Sequence, residues 1–353
     1  MNAMASSKPK RARRRSVPDA PRLRDIADCM GVSMMTVSRA LRGVEGVSET
    51  KRAEISAMAD SLGYVLNSNA RSLVHARSDL IGISVPTLFN DVFADMMEGM
   101  KRTFEKGGFS TVVNTSDYDC EREAAWVNQI ITWSPSGIVL TGRDHTKGLK
   151  ERLSRLTIPV VEIWEATEEP ISISVGIDHE KAGYDLANYA VQLGYVHPGY
   201  VGPKDGADQR ADSRLRGMMR CFREHLGDKK IRRSVQDVQN SFKAGAWGTR
   251  QLLEEAVPPD VIFFSNDHLA FGGISACDTM GLPVPEHVGL IGFNALDLTT
   301  VLPRPLTTMS TPRREVGTIS ARNLTSLIHG VAPDKVTVLE TEIIEGLTTR
   351  AQF

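Results

Sequence analysis

Two arginines and three asparagines stand where a parallel α/β sheet presents ligand-binding groups. Arg143 follows the β-like run GIVLTG (137–142), and Arg214 stands near the start of a helical stretch, in RLRG. An arginine fork makes charge-assisted, two-pronged hydrogen bonds to a carboxylate. Asn90, Asn266 and Asn294 each end another β-like run, and an amide offers a hydroxyl both a donor and an acceptor. Thr141, His145, Glu162 and Trp164 in the first half of the body, and Phe242 and Asp267 in the second, stand in similar places. Ligands of open α/β sheets bind beyond the carboxyl ends of the strands, so all of these are candidate contacts. Each alone also has a plainer reading. A strand-end polar group is commonly a cap or a surface group, Asp267 can cap the helix it begins, and Arg143 can pair with Glu162 or Asp144.

The elements that must position these residues are legible as alternation. LIGISVP (80–86), STVVNTS (110–116), GIVLTG (137–142) and PVVEIW (159–164) read as strands separated by helical patterns. GYVGPK (199–204), RSVQDV (233–238), VIFFSND (261–267) and VGLIGFN (288–294) repeat the pattern, and TTMSTP (307–312) and TVLETEIIEG (337–346) add late strands. This predicts an α/β body of two lobes with doubly wound parallel sheets, facing each other across a cleft. No strand leads into GxGxxG or a P-loop, which argues against dinucleotide and nucleoside-triphosphate chemistry. The four cysteines are scattered singly, and no paired acid/base, nucleophile or metal-ligand spacing is present. No enzyme activity, cofactor or metal is therefore expected.

Ahead of the body lies a region of different character. Residues 1–78 carry 14 Lys and Arg against 7 Asp and Glu, a net of +7, so the remainder carries −8 to give the chain's −1. A basic head on an acidic body suggests that the head meets a polyanion. The run KPKRARRR sits in a tail (1–20) expected to be disordered; it reads equally as a solvated tail and as an arm adding phosphate attraction. Leu23, Ile26, Ala27 and Met30 follow helical spacing, Gly31 breaks the helix, and Ser33 can cap the next. In that second helix Val37, Ala40, Leu41 and Val44 form a core face; Met34, Met35, Ser38, Arg39 and Arg42 share the other. A third helix begins near Ser48, buries Ile55, Met58, Ala59 and Leu62, and ends at Gly63. Three short helices with a glycine turn describe a helix-turn-helix over 21–66. Its second helix enters the major groove with its first residues against base edges. Two adjacent methionines there can pack on thymine methyls, while Ser38 and Arg39 can supply polar contacts.

The segment LRDIADCMGVSMMTVSRALRGVEGVSETKRAEISAMADSLGYVLN (23–67) resembles the DNA-binding domain of the LacI/GalR family. The resemblance extends from residue 22 to about 350. It implies base contacts from Met34, Met35 and Arg39, and backbone contacts from Thr36, Ser38, Thr50 and Asn67. It implies a hinge helix or linker (67–78) that orders on operator DNA, with Arg71 at the DNA and Leu73 wedged into the minor groove. It implies a homodimer on a pseudo-palindromic operator and a body (79–353) like a periplasmic sugar-binding protein of type I. The lobes are expected at about 79–176 plus 308–335 and about 177–307 plus 336–350. Arg214, in the R-x-x-G motif, and Asn266-Asp267 would meet a small effector. The chain departs from the family where Asn294 replaces an acid, and its ending EGLTTRAQF differs, with no tetramer-forming helix expected.

A narrower resemblance, to gluconate-utilisation repressors, rests on SVPTLFNDVFADMMEGM (which contains Phe93), WSPSGIVLTGRDHT, IPVVEIWE and SVGIDHEKAGYDLA. It implies a sugar-acid effector, such as gluconate or a ketogluconate, that releases the repressor from DNA. A neutral sugar, phosphosugar or purine, acting as inducer or corepressor, is the alternative. With no apolar run of membrane-spanning length and no signal-like N-terminus, a cytoplasmic, nucleoid-associated protein with no membrane partner is expected.

Overall fold

The computed structural model describes residues 21–41, 43–64, 78–227, 231–236 and 241–351. Residues 1–76 and 77–353 form two compact units. The tail, Arg42, and the predicted hinge contacts Asn67, Arg71 and Leu73 lie outside the described residues.

The first unit is a three-helix head: α1 Leu23–Met30, α2 Met34–Leu41 and α3 Glu49–Ser61. Gly31 closes α1 in the left-handed region at φ 63°, where its N–H reaches Ala27 O. Ser33 starts α2 by accepting the Thr36 N–H at 3.1 Å, and Ser48 starts α3 by accepting the Lys51 N–H. The core is Ile26, Ala27, Val37, Ala40, Ile55 and Ala59, with Met58 and Leu62 packed against it half-buried. Val44 is not part of it. The second helix ends at Leu41, so Val44 leaves the helical spacing and stands 47% exposed.

The body contains two six-stranded sheets. In chain order its elements are β1 Leu80–Val85, α4 Asp91–Lys106, β2 Ser110–Thr115, α5 Cys120–Ile131, β3 Gly137–Thr141, α6 Lys147–Leu156, β4 Val160–Glu165 and β5 Ile173–Ile177. Then come α7 His179–Gln192, β6 Pro198–Pro203, α8 Gln209–Leu226, β7 Arg232–Gln236, α9 Phe242–Leu253, β8 Val261–Phe264, α10 Asp267–Met280 and β9 Gly289–Asn294. The chain finishes with α11 Leu298–Val301, β10 Thr307–Ser310, α12 Arg313–Ile328, β11 Val336–Val338 and β12 Glu342–Ile344. The first sheet runs β11-β5-β4-β3-β1-β2 and the second β12-β10-β9-β8-β6-β7. All pairings are parallel except β10 with β12. The central strands β1, β3, β4, β8 and β9 are buried along nearly their whole length, as strands covered on both faces are, while the edge strand β2 is largely exposed.

The pairing corrects the expected lobe limits. β10 joins β9 in the second sheet, and β11 joins β5 in the first. The chain therefore returns to the first lobe at about residue 311 and leaves it at about 339. The run 337–346 is two short strands in different sheets, which its β pattern alone could not reveal. β5 was not among the predicted strands, since Ser174 and Gly176 interrupt its apolar pattern; both are buried, and a Cβ at Gly176 would meet the backbone of Trp164 and Glu165 within 2.7 Å.

One packing detail sets the position of α8. A Cβ at Gly217 would lie 1.9 Å from Glu180 O, and one at Gly183 would lie 2.0 Å from Arg214 O. Glycine at both places lets α7 and α8 touch backbone to backbone, which fixes where Arg210 and Arg214 emerge.

Candidate functional site

A cleft opens between the strand ends of the two lobes. One part is bounded by Asn90, Phe93, Tyr118 and Trp164 from the first lobe and Arg214, Asn266 and Asn294 from the second. It continues past Tyr118, Asp208 and Arg210 into a part bounded by Thr141, Asp144 and Glu165. Non-glycine residues with positive φ concentrate at this cleft: Tyr118 at 62°, Trp164 at 78° and Asn294 at 116°. Each such conformation costs about 1–3 kcal/mol, and such strain gathers where a side chain must be aimed at a ligand.

The arginines are the best-prepared groups. Arg214 lies over the Phe293 ring, 4.3 Å from its centroid. It donates to His179 Nδ1 at 3.0 Å and to Ser265 O at 3.0 Å, while its Nε has no partner. Burial, and next the charge of Arg214, hold the His179 pKa well below its ordinary value, so His179 is the neutral acceptor that this contact needs. Arg210, one helical turn earlier, donates to Asp208 Oδ1 at 2.9 Å. Its guanidinium lies over the Tyr118 ring of the facing lobe at 5.6 Å. Burial opposes the charge on Asp208, but Arg210 and Arg214 overcome it and keep the carboxyl below its usual range. Gly142, at φ 82°, leaves room for Arg210, whose Nη1 would be 3.1 Å from a Cβ there.

The asparagines serve both fold and cleft. Asn90 Oδ1 accepts the Val92 N–H at 3.1 Å and so starts α4; it lines the cleft together with Tyr118. Asn266 Oδ1 accepts the Leu269 N–H and so starts α10. Asn294 Oδ1 is buried without a partner, and its carbonyl accepts from Arg313.

Several predicted contacts have other tasks. His145 is fully buried, with Nδ1 2.5 Å from Glu123 and Nε2 3.4 Å from Glu162. Burial disfavours its charge, but the bonds to Glu123 and Glu162 raise its pKa to about 9. Glu162 also accepts the Ile171 N–H at 2.6 Å, and neither residue lines the cleft. Asp267 accepts Leu296 N–H at 2.8 Å and Thr308 Oγ1–H at 2.7 Å, so it holds the loop that carries Asn294. Burial raises the Asp267 pKa to about 6. Arg143 is 3.3 Å from Glu165 and rims a different surface hollow with Arg216 and Arg220. Burial, against the pull of Arg143, raises the Glu165 pKa. Phe242 stacks on Phe271 at 6.2 Å and lines a separate hollow with His268. Tyr118, Asp208 and Arg210 escaped the sequence reading; the signal for Arg210 was its four-residue spacing from Arg214, which places both on one helix face.

In the head, Met34 and Met35 are 54% and 66% exposed, whereas Val37 and Ala40 of the same helix are buried. Arg39 and Thr50 are exposed, and Thr36 and Ser38 half-buried.

Residues 22–67 match the family described as "Bacterial regulatory proteins, lacI family". Residues 187–349 match "Periplasmic binding protein-like domain". The chain is 32% identical to the HTH-type transcriptional regulator GntR of Escherichia coli K12 over 311 residues, 88% of this chain and 92% of the relative.

This chain belongs to the lacI family.

It is thus a DNA-binding transcriptional regulator with a helix-turn-helix head and a two-lobed α/β body. A LacI family regulator from Silicibacter pomeroyi has a similar structure, with TM-score 0.87 and 33% identity over 93% of this chain and 99% of that one. The regulator GntR from Chromobacterium violaceum matches with TM-score 0.73 and 26% identity over 77% and 100%. These relatives are transcriptional regulators. Among the described residues no helix is long and apolar enough to cross a membrane.

Proposed function

We propose that this regulator is a dimeric repressor released from a pseudo-palindromic operator by a sugar acid such as gluconate or a ketogluconate. The observation that carries this is the cleft's two-ended charge. One end presents the buried Arg214 beside Asn266 and Asn294, with Arg210, ion-paired to Asp208, where the two parts meet. The other presents Asp144, Glu165 and the Thr141 hydroxyl. A molecule with one carboxylate and a chain of hydroxyls matches both ends: the arginines take the carboxylate, and the acids accept from hydroxyls. A second anionic group would face the acids, which disfavours a phosphorylated sugar acid. The resemblance to gluconate-utilisation repressors points the same way. With Arg143 turned to Glu165, the carboxylate-binding role passes to Arg210, beside Arg214.

The effector acts through its differential affinity for the two lobe arrangements. The test is operator release. An operator is selected from random duplexes with the full chain, and its affinity is measured by fluorescence anisotropy while gluconate is added. Loss of binding in a saturable manner is expected. Unchanged binding across gluconate and both ketogluconates contradicts the sugar-acid reading, and tighter binding makes the protein corepressed.

A further inference from the structure

Asn294 ends β9 in a backbone conformation that something must hold. Its φ is 116°, and that of the next residue, Ala295, is 51°. Such conformations cost about 1–3 kcal/mol each and persist only where the surroundings impose them. The Asn294 side-chain oxygen has no partner in the protein, so it is not the restraint. The restraint is on the carbonyl. Arg313 Nη1 donates to Asn294 O, and Thr311 Oγ1 donates to the same oxygen at 3.4 Å. The Arg313 side chain is only 11% exposed, and its Nε donates to Asp95 Oδ2 at 2.8 Å.

These bonds cross between the lobes. Asn294 ends a strand of the second sheet, whereas Asp95 on α4 and Arg313 at the start of α12 belong to the first lobe. The two helices are locked together: a Cβ at Gly99 would lie 2.3 Å from Arg314 O, and one at Gly317 would lie 2.0 Å from Met96 O. With the helix backbones in contact and Nε tied to Asp95, the guanidinium is presented at a fixed point. The same helix α4 is capped by Asn90 and carries Phe93, the first lobe's contacts in the cleft. Arg313 itself lines the separate hollow with Phe242 and His268.

We infer that Arg313 is a positioning residue for the effector: by joining the strained end of β9 to the α4–α12 pair, it fixes where the Asn294 amide stands across the cleft from Asn90. This rests on the sugar-acid reading of the cleft and names how one of its hydroxyl contacts is held. Arg313 acts through Asn294 and needs no contact with the effector.

The test is a double-mutant cycle, read by calorimetric titration of the full chain with gluconate and with 2- and 5-ketogluconate. Arg313→Met should lower affinity about three- to tenfold, the worth of one neutral hydrogen bond. Asp95→Asn, which loosens the guanidinium but leaves it in place, should lower affinity by less, and keeps the test open should Arg313→Met destabilise the fold. In an Asn294→Gly chain, which lacks the amide and tolerates the positive φ, Arg313→Met should change affinity by less than about twofold, because the group it aims is gone. Arg314→Met removes an equal charge from a side chain 71% exposed and should leave affinity within about twofold. An equal loss in Arg313→Met and Arg314→Met, or a loss that persists in the Asn294→Gly chain, marks a plain charge or folding effect and overturns the inference. Unchanged affinity in Arg313→Met overturns it with the sugar-acid reading intact. If the unaltered chain binds none of the three acids, both fall.

Discussion

The two lobes treat their charged residues in opposite ways. In the first lobe, the charges near the ends of β3 and β4 are consumed locally: His145 by Glu123 and Glu162, and Arg143 by Glu165. In the second lobe, Arg210 and Arg214 enter the cleft from one helix face, and Arg214 Nε lacks a partner. The difference lies in what surrounds each group. Two buried carboxylates converge on His145, whereas Arg214 meets a neutral histidine, a carbonyl and an aromatic face. The first lobe thus ties His145 and Arg143 into its own structure, whereas the second leaves Arg214, unlike the Asp208-paired Arg210, with a donor that lacks a partner.

The contrast breaks most visibly at His145. His145→Ala leaves Glu123 and Glu162 buried without their cation, and should cost about 3–5 kcal/mol of stability, read by urea unfolding. Arg214→Met should instead weaken sugar-acid binding about 10- to 100-fold by calorimetry, the value of a charged hydrogen bond, with a smaller change in stability. Asn294→Ala should cost about three- to tenfold in the same titration, one neutral hydrogen bond. Arg143→Ala leaves the buried Glu165 carboxylate without its half-exposed partner and should cost about 1–3 kcal/mol of stability, with a smaller change in effector affinity than Asn294→Ala.

Proton linkage sharpens the same comparison. The folded pKa of His145 is raised to about 9, above its ordinary 6.5. The stability it contributes is therefore complete below about pH 6.5 and is lost as pH rises through about 9. The melting midpoint should fall over that interval, and the fall should be reduced in His145→Gln, which keeps a hydrogen-bonding side chain but no titration.

Much of this was legible in the sequence, and the failures share a cause. The β-branched runs revealed the strands because burial on both faces leaves a local trace. The head was readable from Gly31, Ser33 and Ser48, whose roles depend only on neighbours in the chain. Asn90, Phe93, Trp164, Arg214, Asn266 and Asn294 do come together in the cleft, since strand ends and helix starts of facing lobes must converge. His145, Glu162 and Asp267 stand at equally suitable positions, yet partners 9 to 41 residues away claim them. Position along a strand is local information; whether a charge is already satisfied is not. Tyr118 and Asp208 lie on loops with no periodicity to expose them.

The most direct measurement is the thermal midpoint of the full chain with gluconate, 2- and 5-ketogluconate, 6-phosphogluconate, glucose, ribose and hypoxanthine. A ligand of the folded state raises the midpoint with its concentration. Gluconate or a ketogluconate should raise it, the neutral sugars and the purine should not, and Arg214→Met should remove most of the response. A rise with glucose, ribose or hypoxanthine alone, or a gluconate response undiminished in Arg214→Met, would contradict a cleft built around buried arginines for a carboxylate.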